Sequence, residues 1–425
     1  MSSEVKHNNL TSRRALLKKA FYSSGMLAMG PLLWANSNPA SPRSAISNTA
    51  VARNNNLSQL AKSMIEVTVE NDPQTRMRVP KGCRVRLVAK TGEQAVASSS
   101  YLWHPDPDGG ATFPTQDGGW VYVSNSEVKG NGGVGAIKFD RHGNVVDSYS
   151  ICTNTDNNCA GGPTPWGTWL TCEEVADGLV YECDPLGRFD ARACPALGKF
   201  KHEAVAVDPI HGYLYLTEDE PDGCFYRFKP ASYPKSGRAD LSSGTLQVAQ
   251  RVDLDAEHNW TLKWHDIETP VPNFNHQLPT RKQVVKASTF AGGEGCWYHH
   301  GYVYFTTKHD NRVWALETQS QTLTLIYDQQ TDAKFSPLLN DVDNLTVSAG
   351  GDVIVAEDGA NMRMVVFSEH LEPFELVNVL GHEKSEICGP AFSPDGNRLY
   401  FSSQQGIAGI SEDGRTYELS GPFFI

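Results

Sequence analysis

The sequence predicts an all-β protein, a six-bladed β-propeller with a long insertion between the third and fourth copies of a repeated strand signature. Three observations carry this expectation. After residue 60 helical periodicity is rare, and short β-branched and aromatic runs bounded by Gly, Asp, Asn and Pro dominate. One pattern recurs: a turn glycine, a short apolar-aromatic strand, then a polar or acidic residue. The leading glycines are separated by 48, 45, 89, 50 and 45 residues. A period of about 45–50 residues suits a four-stranded blade, and radial packing of blades protects their edges.

The copies run from Gly119 to Glu127, Gly167 to Glu174, Gly212 to Asp219, Gly301 to Lys308, Gly351 to Asp358 and Gly396 to Gln404. The 89-residue step holds roughly one extra period. Its segment, Lys229 to Lys286, is rich in Pro, Asp and Ser and reads as a seventh blade or an insertion. The insertion is preferred because the segment lacks a good copy of the signature. A β-sandwich would show shorter strand spacings and no long period.

The 425 residues include 37 Lys+Arg and 49 Asp+Glu, a net charge of −12. Such acidity argues against nucleic acid as partner, because phosphate backbones are bound by Lys/Arg surfaces. It is compatible with cation binding. No apolar run reaches the roughly 18–20 residues of a membrane span.

Ser12, Arg13, Arg14, Ala15, Leu16, Leu17 and Lys18 read as a twin-arginine motif, followed by a moderately apolar stretch from Ala20 to Trp34 and then small and polar residues near Ala35 and Ala40. Residues 1–45 are therefore expected to be a removable signal and linker, and 46–425 a single propeller domain. The expected destination is the periplasm or beyond, with the twin-arginine machinery as partner and a monomeric mature form without a membrane span. Nine cysteines fit an oxidising compartment. Their odd count leaves at least one unpaired, and none has the CxxC spacing of a structural zinc site.

Four copies carry acids at or just past the strand end: Glu127, Glu173/Glu174, Glu218/Asp219 and Glu357/Asp358. Equivalent positions of successive blades converge on the central channel. Several carboxylates at close range cannot all stay ionised without a cation. Glu203 lies one strand upstream of Glu218. Glu294 precedes the fourth copy and Asp343 the fifth. Oxygen donors of this kind suit calcium. Cys159, in a Gly/Pro loop beside acidic strands, is either a soft ligand suited to iron or half of a disulfide with Cys152 or Cys172. His202, His299, His300, His309 and His382 form no metal motif and individually read as structural. No phosphate loop, GxSxG elbow or Ser-His-Asp set stands out.

At these residues the chain resembles the PhoX-type alkaline phosphatases. The matching stretches are Asp108 to Pro114, Trp120 to Glu127, Asn158 to Glu174, His202 to Pro209, Glu218-Asp219 with Phe225 to Phe228, Asp343 to Val347 with Ala356 to Gly359, and Gly389 to Gly396. The resemblance implies a six-bladed propeller, a mixed cluster of two Fe3+ and several Ca2+ in the channel, and hydrolysis of a small phosphate monoester outside the cytoplasm. It implies Cys159 as an iron ligand and Glu127, Glu174, Glu203, Glu218, Glu294 and Glu357 as cluster carboxylates. Asp343 is a further expected metal ligand. The family pattern has a phosphate-contacting arginine two residues before Glu294, where this chain has Gly292. Lys308 or Arg312 is expected to replace it. Two other readings stay open: a calcium-dependent esterase or lactonase, favoured by Gly292, and a non-catalytic binding propeller with structural metal.

Overall fold

Six strands line a central channel, each the first strand of a blade: Pro107–Pro114, Asn158–Pro163, His202–Val207, Gly293–His299, Val342–Val347 and Ile387–Phe392. Each contacts the next, and the last contacts the first, closing a ring. The computed structural model describes residues 57–423 except 235–236, 256–258, 333–337, 360 and 369. The expected signal at residues 1–45 lies outside the described residues.

Strands follow outward in chain order. In the first blade these are Trp120–Ser126, Gly132–Phe139 and Val145–Thr155, all antiparallel. The repeat read from the sequence is the second strand of every blade, from Trp120–Ser126 to Arg398–Ser403. Its glycine turns the chain between first and second strands, and Gly212, Gly301, Gly351 and Gly396 all take positive φ, which glycine adopts without a Cβ clash.

The segment from Lys229 to Lys286 is not a seventh blade, since the inner strands His202–Val207 and Gly293–His299 touch directly. Gly244–Val252 completes the third blade. The added strand Asn259–Asp266 pairs with it on one side and with Thr322–Asp328 of the fourth blade on the other. Blades three and four thereby merge into one nine-stranded sheet.

Closure comes from the N-terminal part of the domain. Arg84–Lys90 supplies the fourth strand of the last blade, pairing with Arg415–Ser420. Asp72–Pro80 adds to the fifth blade. The Arg415 guanidinium donates to Asp72 Oδ2 at 2.7 Å, and both residues are buried. Aromatic pairs fill the seams between blades. Phe225 stacks on Phe305 with centroids 4.2 Å apart, and Tyr122 meets Tyr400 at 5.1 Å. Such pairs contribute about 0.5–1.5 kcal/mol each beyond area burial.

Candidate metal centre

The second residue of each inner strand faces the axis at one level: Asp108, Cys159, Glu203, Glu294, Asp343 and Cys388. A register shift falls at each of them in pairing with the second strand, as between Pro107 and Gly110 or Asn158 and Gly161. The same irregularity recurs in the other four blades. An extra residue in one strand re-aims a side chain, and here it does so six times. The residue after each ring member is Gly109, Ala160, Ala204, Gly295, Asn344 or Gly389. A Cβ on Gly109 would lie 2.5 Å from Ala160 Cα, and one on Gly389 2.5 Å from Asp108 O. Small residues let the inner strands approach and crowd the ring.

The residue just past each second strand forms an upper tier: Glu127, Glu174, Asp219, Lys308, Asp358 and Gln404. Together with Glu386, which precedes the last inner strand, the tiers make five overlapping donor groups. These are Asp108/Glu127/Cys159, Cys159/Glu174/Glu203, Glu203/Glu294/Asp343, Asp343/Asp358/Glu386 and Asp108/Glu386/Cys388, each with donor atoms within 4.8 Å of one another. Each group shares a residue with the next, and the fifth returns to the first.

Glu127, Cys159, Glu174, Glu203, Glu294 and Asp343 are thus brought together. Glu218 and Glu357 are not. They are the last residues of their strands, one position short of Asp219 and Asp358, and a one-residue step turns a strand side chain to the other face. Glu218 accepts from Tyr226 Oη at 2.7 Å and Cys224 N at 3.0 Å and pairs with Arg281. Glu357 accepts from Asn340 N at 2.7 Å and pairs with Arg363 at 3.1 Å. Both pin loops. Sequence reasoning also left out Asp108, Glu386 and Cys388 as ligands, and of the pair Glu357/Asp358 it took Glu357. The signal for three of the inner-tier members was an acid or cysteine directly followed by glycine, as in Asp108-Gly109, Glu294-Gly295 and Cys388-Gly389.

Burial raises the proton affinity of most of the ring's carboxyl groups. Asp108 is pushed up to about 8, first by desolvation and then by Asp343. Glu127, Glu203, Glu294 and Glu386 are held well above the carboxylate range by desolvation and by one another. Glu203 is fully buried, yet its Oε2 has no hydrogen-bond partner, and Glu294 Oε1 has none either. Unpaired buried carboxylate oxygens are costly in a protein without a counterion. Oxygen donors with two thiols, closed into a ring and partly unpartnered, fit cations: the oxygen-only groups suit calcium, and those with sulfur a softer metal.

Amino groups gather on one side of the rim. Lys201 Nζ lies 2.8 Å from Glu174 Oε1 and 2.6 Å from Asp219 Oδ2. Lys308 pairs with Asp358. Burial works against the Lys308 ammonium, but Asp343, Glu294 and Asp358 more than offset it and raise its proton affinity. Gln404 Nε2 bridges Asp108 and Glu127 at 2.8 and 2.6 Å. Arg312 has other partners, Asp310 at 2.8 Å and Asp328 at 3.2 Å, and neither belongs to the ring. Gly292 has φ 65°, and a Cβ there would meet His309 Cδ2 at 2.9 Å. His309 therefore occupies the space a side chain at that position would need.

The other histidines have structural partners or lie elsewhere. His202 Nε2 bonds Gly198 O at 3.1 Å, and His382 sits between Thr75 and Ser403. His299 and His300 lie at the far end of their inner strand. All nine cysteines are free thiols, so Cys159 pairs with neither Cys152 nor Cys172.

Comparison with known proteins gives the family and a similar fold. The family model for alkaline phosphatase PhoX matches residues 141–182 and 176–406, more than half of the chain. No curated protein sequence matches significantly. Among solved structures, the fold is similar to that of Pseudomonas fluorescens PhoX in complex with vanadate, a transition state analogue. The TM-score is 0.68 at 16% identity, covering 81% of this chain and 96% of that one. A gluconolactonase from Xanthomonas campestris matches with TM-score 0.41 at 12% identity, covering 82% of this chain and 90% of that one. A calcium-binding regucalcin from Agrobacterium tumefaciens matches at 0.40 and 10%, covering 80% and 96%. The chain belongs to the PhoX family of alkaline phosphatases.

Proposed function

We propose that this protein is an exported hydrolase of phosphate monoesters whose channel ring holds iron and calcium ions. The observation that carries the reading is the closed ring of five donor groups, with unpartnered carboxylate oxygens, below a rim that bears lysines. Cys159 with Glu174 and Glu203 offers the mixed sulfur–oxygen set that iron accepts. Glu203 with Glu294 and Asp343 offers the oxygen-only set that calcium prefers. Bound ions of these kinds would offset the charge of a phosphate dianion and polarise its oxygens.

The chain's own groups do the rest. The ring fixes its inner donors on strands and its other donors, Glu127, Glu174, Asp358 and Glu386, directly beside strand ends. Lys308, a third exposed and pointed at Asp358, is the group for the phosphate at the rim. Its ammonium can exchange the carboxylate for a substrate oxygen. Asn157 Nδ2 donates to Glu127 at 3.1 Å and to Glu174 at 3.2 Å, holding two upper-tier carboxylates toward the axis. The twin-arginine motif at Arg13 and Arg14 supports export of the chain after folding.

The test is hydrolysis of an aryl phosphate by full-length protein purified with calcium present, beside the Cys159→Ala variant. Turnover by the parent and its loss in the variant are expected. Equal rates in both would contradict the proposal. Cleavage of a lactone without cleavage of the phosphate would favour the esterase reading instead.

A further inference from the structure

Two thiols stand in the inner tier, and the function proposed above uses only one. Cys388 is the second residue of its inner strand, the register that brings Asp108, Cys159, Glu203, Glu294 and Asp343 to the axis. It is fully buried. Its sulfur, an oxygen of Asp108 and an oxygen of Glu386 lie within 4.8 Å of one another. Asp108 also belongs to the group that contains Cys159, so the two thiols flank it from blades two and six.

Donor class consequently divides around the channel. The three groups with sulfur run from blade six through one and two to Glu203 of blade three, and the oxygen-only groups, Glu203/Glu294/Asp343 and Asp343/Asp358/Glu386, run from blade three round to Glu386 of blade six, sharing those two residues at the boundaries. A buried cysteine is most often a small apolar filler. Here its neighbours in the tier are carboxyl groups, and a thiol is a weak hydrogen-bond donor that satisfies them poorly. An independent observation marks the ring that Cys388 belongs to as a ligand site, in the groups across the channel: Glu203 Oε2 and Glu294 Oε1 are buried and have no hydrogen-bond partner among the described residues.

We infer that Cys388 is a second thiolate ligand, so that Asp108, Glu386 and Cys388 seat a thiolate-accepting transition metal such as iron, adjoining through Asp108 the Asp108/Glu127/Cys159 group on the other side. The inference rests on the reading that the ring binds cations. It gives the sulfur-bearing half of the ring two such ions and leaves the oxygen-only half to calcium-like ions.

The experiment uses the full chain, purified from iron-supplemented cells without chelator. Metal content and the visible thiolate-to-metal absorption are measured for the parent, Cys388→Ser and Cys159→Ser. Each variant is expected to lose one component of the absorption and to keep the other, with fewer transition-metal ions per chain. An unchanged spectrum and metal content in Cys388→Ser would overturn the inference. Should that variant fail to fold, X-ray absorption on the parent protein decides: sulfur neighbours at two metal ions support it, and sulfur at one ion overturns it alone. A parent protein holding no transition metal overturns both the inference and the iron reading on which it rests.

Discussion

Cys159 Sγ lies 3.2 Å from Glu203 Oε1, across the seam between the second and third blades, and both residues are buried. The two are 44 residues apart in the chain, so the contact exists only because the bulged inner strands aim both side chains at one axis. Cys159→Ala removes a donor shared by two groups of the ring. Loss of an outer-sphere partner alone commonly costs about 10–100-fold in metal affinity, so loss of a ligand should exceed that. The measurement is bound metal after dialysis, with near-UV circular dichroism showing that the fold persists.

The register argument makes a paired prediction. Asp358→Asn should lower bound metal, because Asp358 belongs to the ring. Glu357→Gln, one residue away, should leave metal content alone. It should lower stability by about 1–3 kcal/mol, the usual cost of unmaking charge-assisted bonds such as those to Arg363 and Asn340 N. Denaturant melts and metal analysis of both variants separate the two outcomes.

That pair also shows what the sequence made legible. The six second strands and their glycines were readable because the repeat is local and apolar. Whether position 357 or 358 faces the axis was not, because the strand ends there and two acids compete for the same reading. Cys388 and Glu386 were hidden for another reason. Their blade ends its second strand in Ser402-Ser403-Gln404 rather than in an acid, so nothing local marked that blade as part of the site. The inner strands are short, glycine-rich and nearly free of alternation, as Pro107–Pro114 and Asn158–Pro163 show. Their role emerges only when the ring closes.

Metal removal should expose the crowding of the ring. Asp108 is raised from 3.8 to about 8 by burial and by Asp343, and its neighbours shift the same way. In the chelated protein the folded state therefore holds more protons than the unfolded chain between about pH 4 and 8. Stability from these groups falls as pH rises through that window. The chelated protein should lose melting temperature relative to the metal-loaded protein as pH is raised from 5 to 8 in roughly unit steps. A gap that stays constant or narrows would contradict the prediction.

The closure clasp titrates in the other direction. Burial would raise the Asp72 carboxyl, but bonds from Thr75, Arg415 and Tyr417 outweigh it and hold it below 3.8. Its contribution is present above the unfolded value and is lost as pH falls through the lower folded value. Asp72→Asn leaves Arg415 with Asp413 as its remaining carboxylate, at 3.0 Å, and should cost about 1.5–3 kcal/mol, the worth of a charge-assisted contact. The variant should also lose less additional stability than the parent between about pH 4 and 2. Urea melts across that range check both statements.

Lys308 is placed to meet the phosphate at the rim. Lys308→Met should lower kcat/KM for an aryl phosphate by about 10–100-fold, the worth of one charge-assisted contact of roughly 1.5–3 kcal/mol. Arg312→Met should change kcat/KM little, since Arg312 is held by Asp310 and Asp328 outside the ring. Steady-state kinetics of the two variants at equal metal loading tests the assignment.

The most direct measurement is anomalous X-ray scattering from crystals of the metal-loaded full-length protein, recorded on both sides of the iron edge and at longer wavelength for calcium. The expected result is anomalous density inside the channel, within bonding reach of Asp108, Cys159, Glu203, Glu294 and Asp343. A well-ordered channel with these side chains in place and no metal density between them would contradict the account.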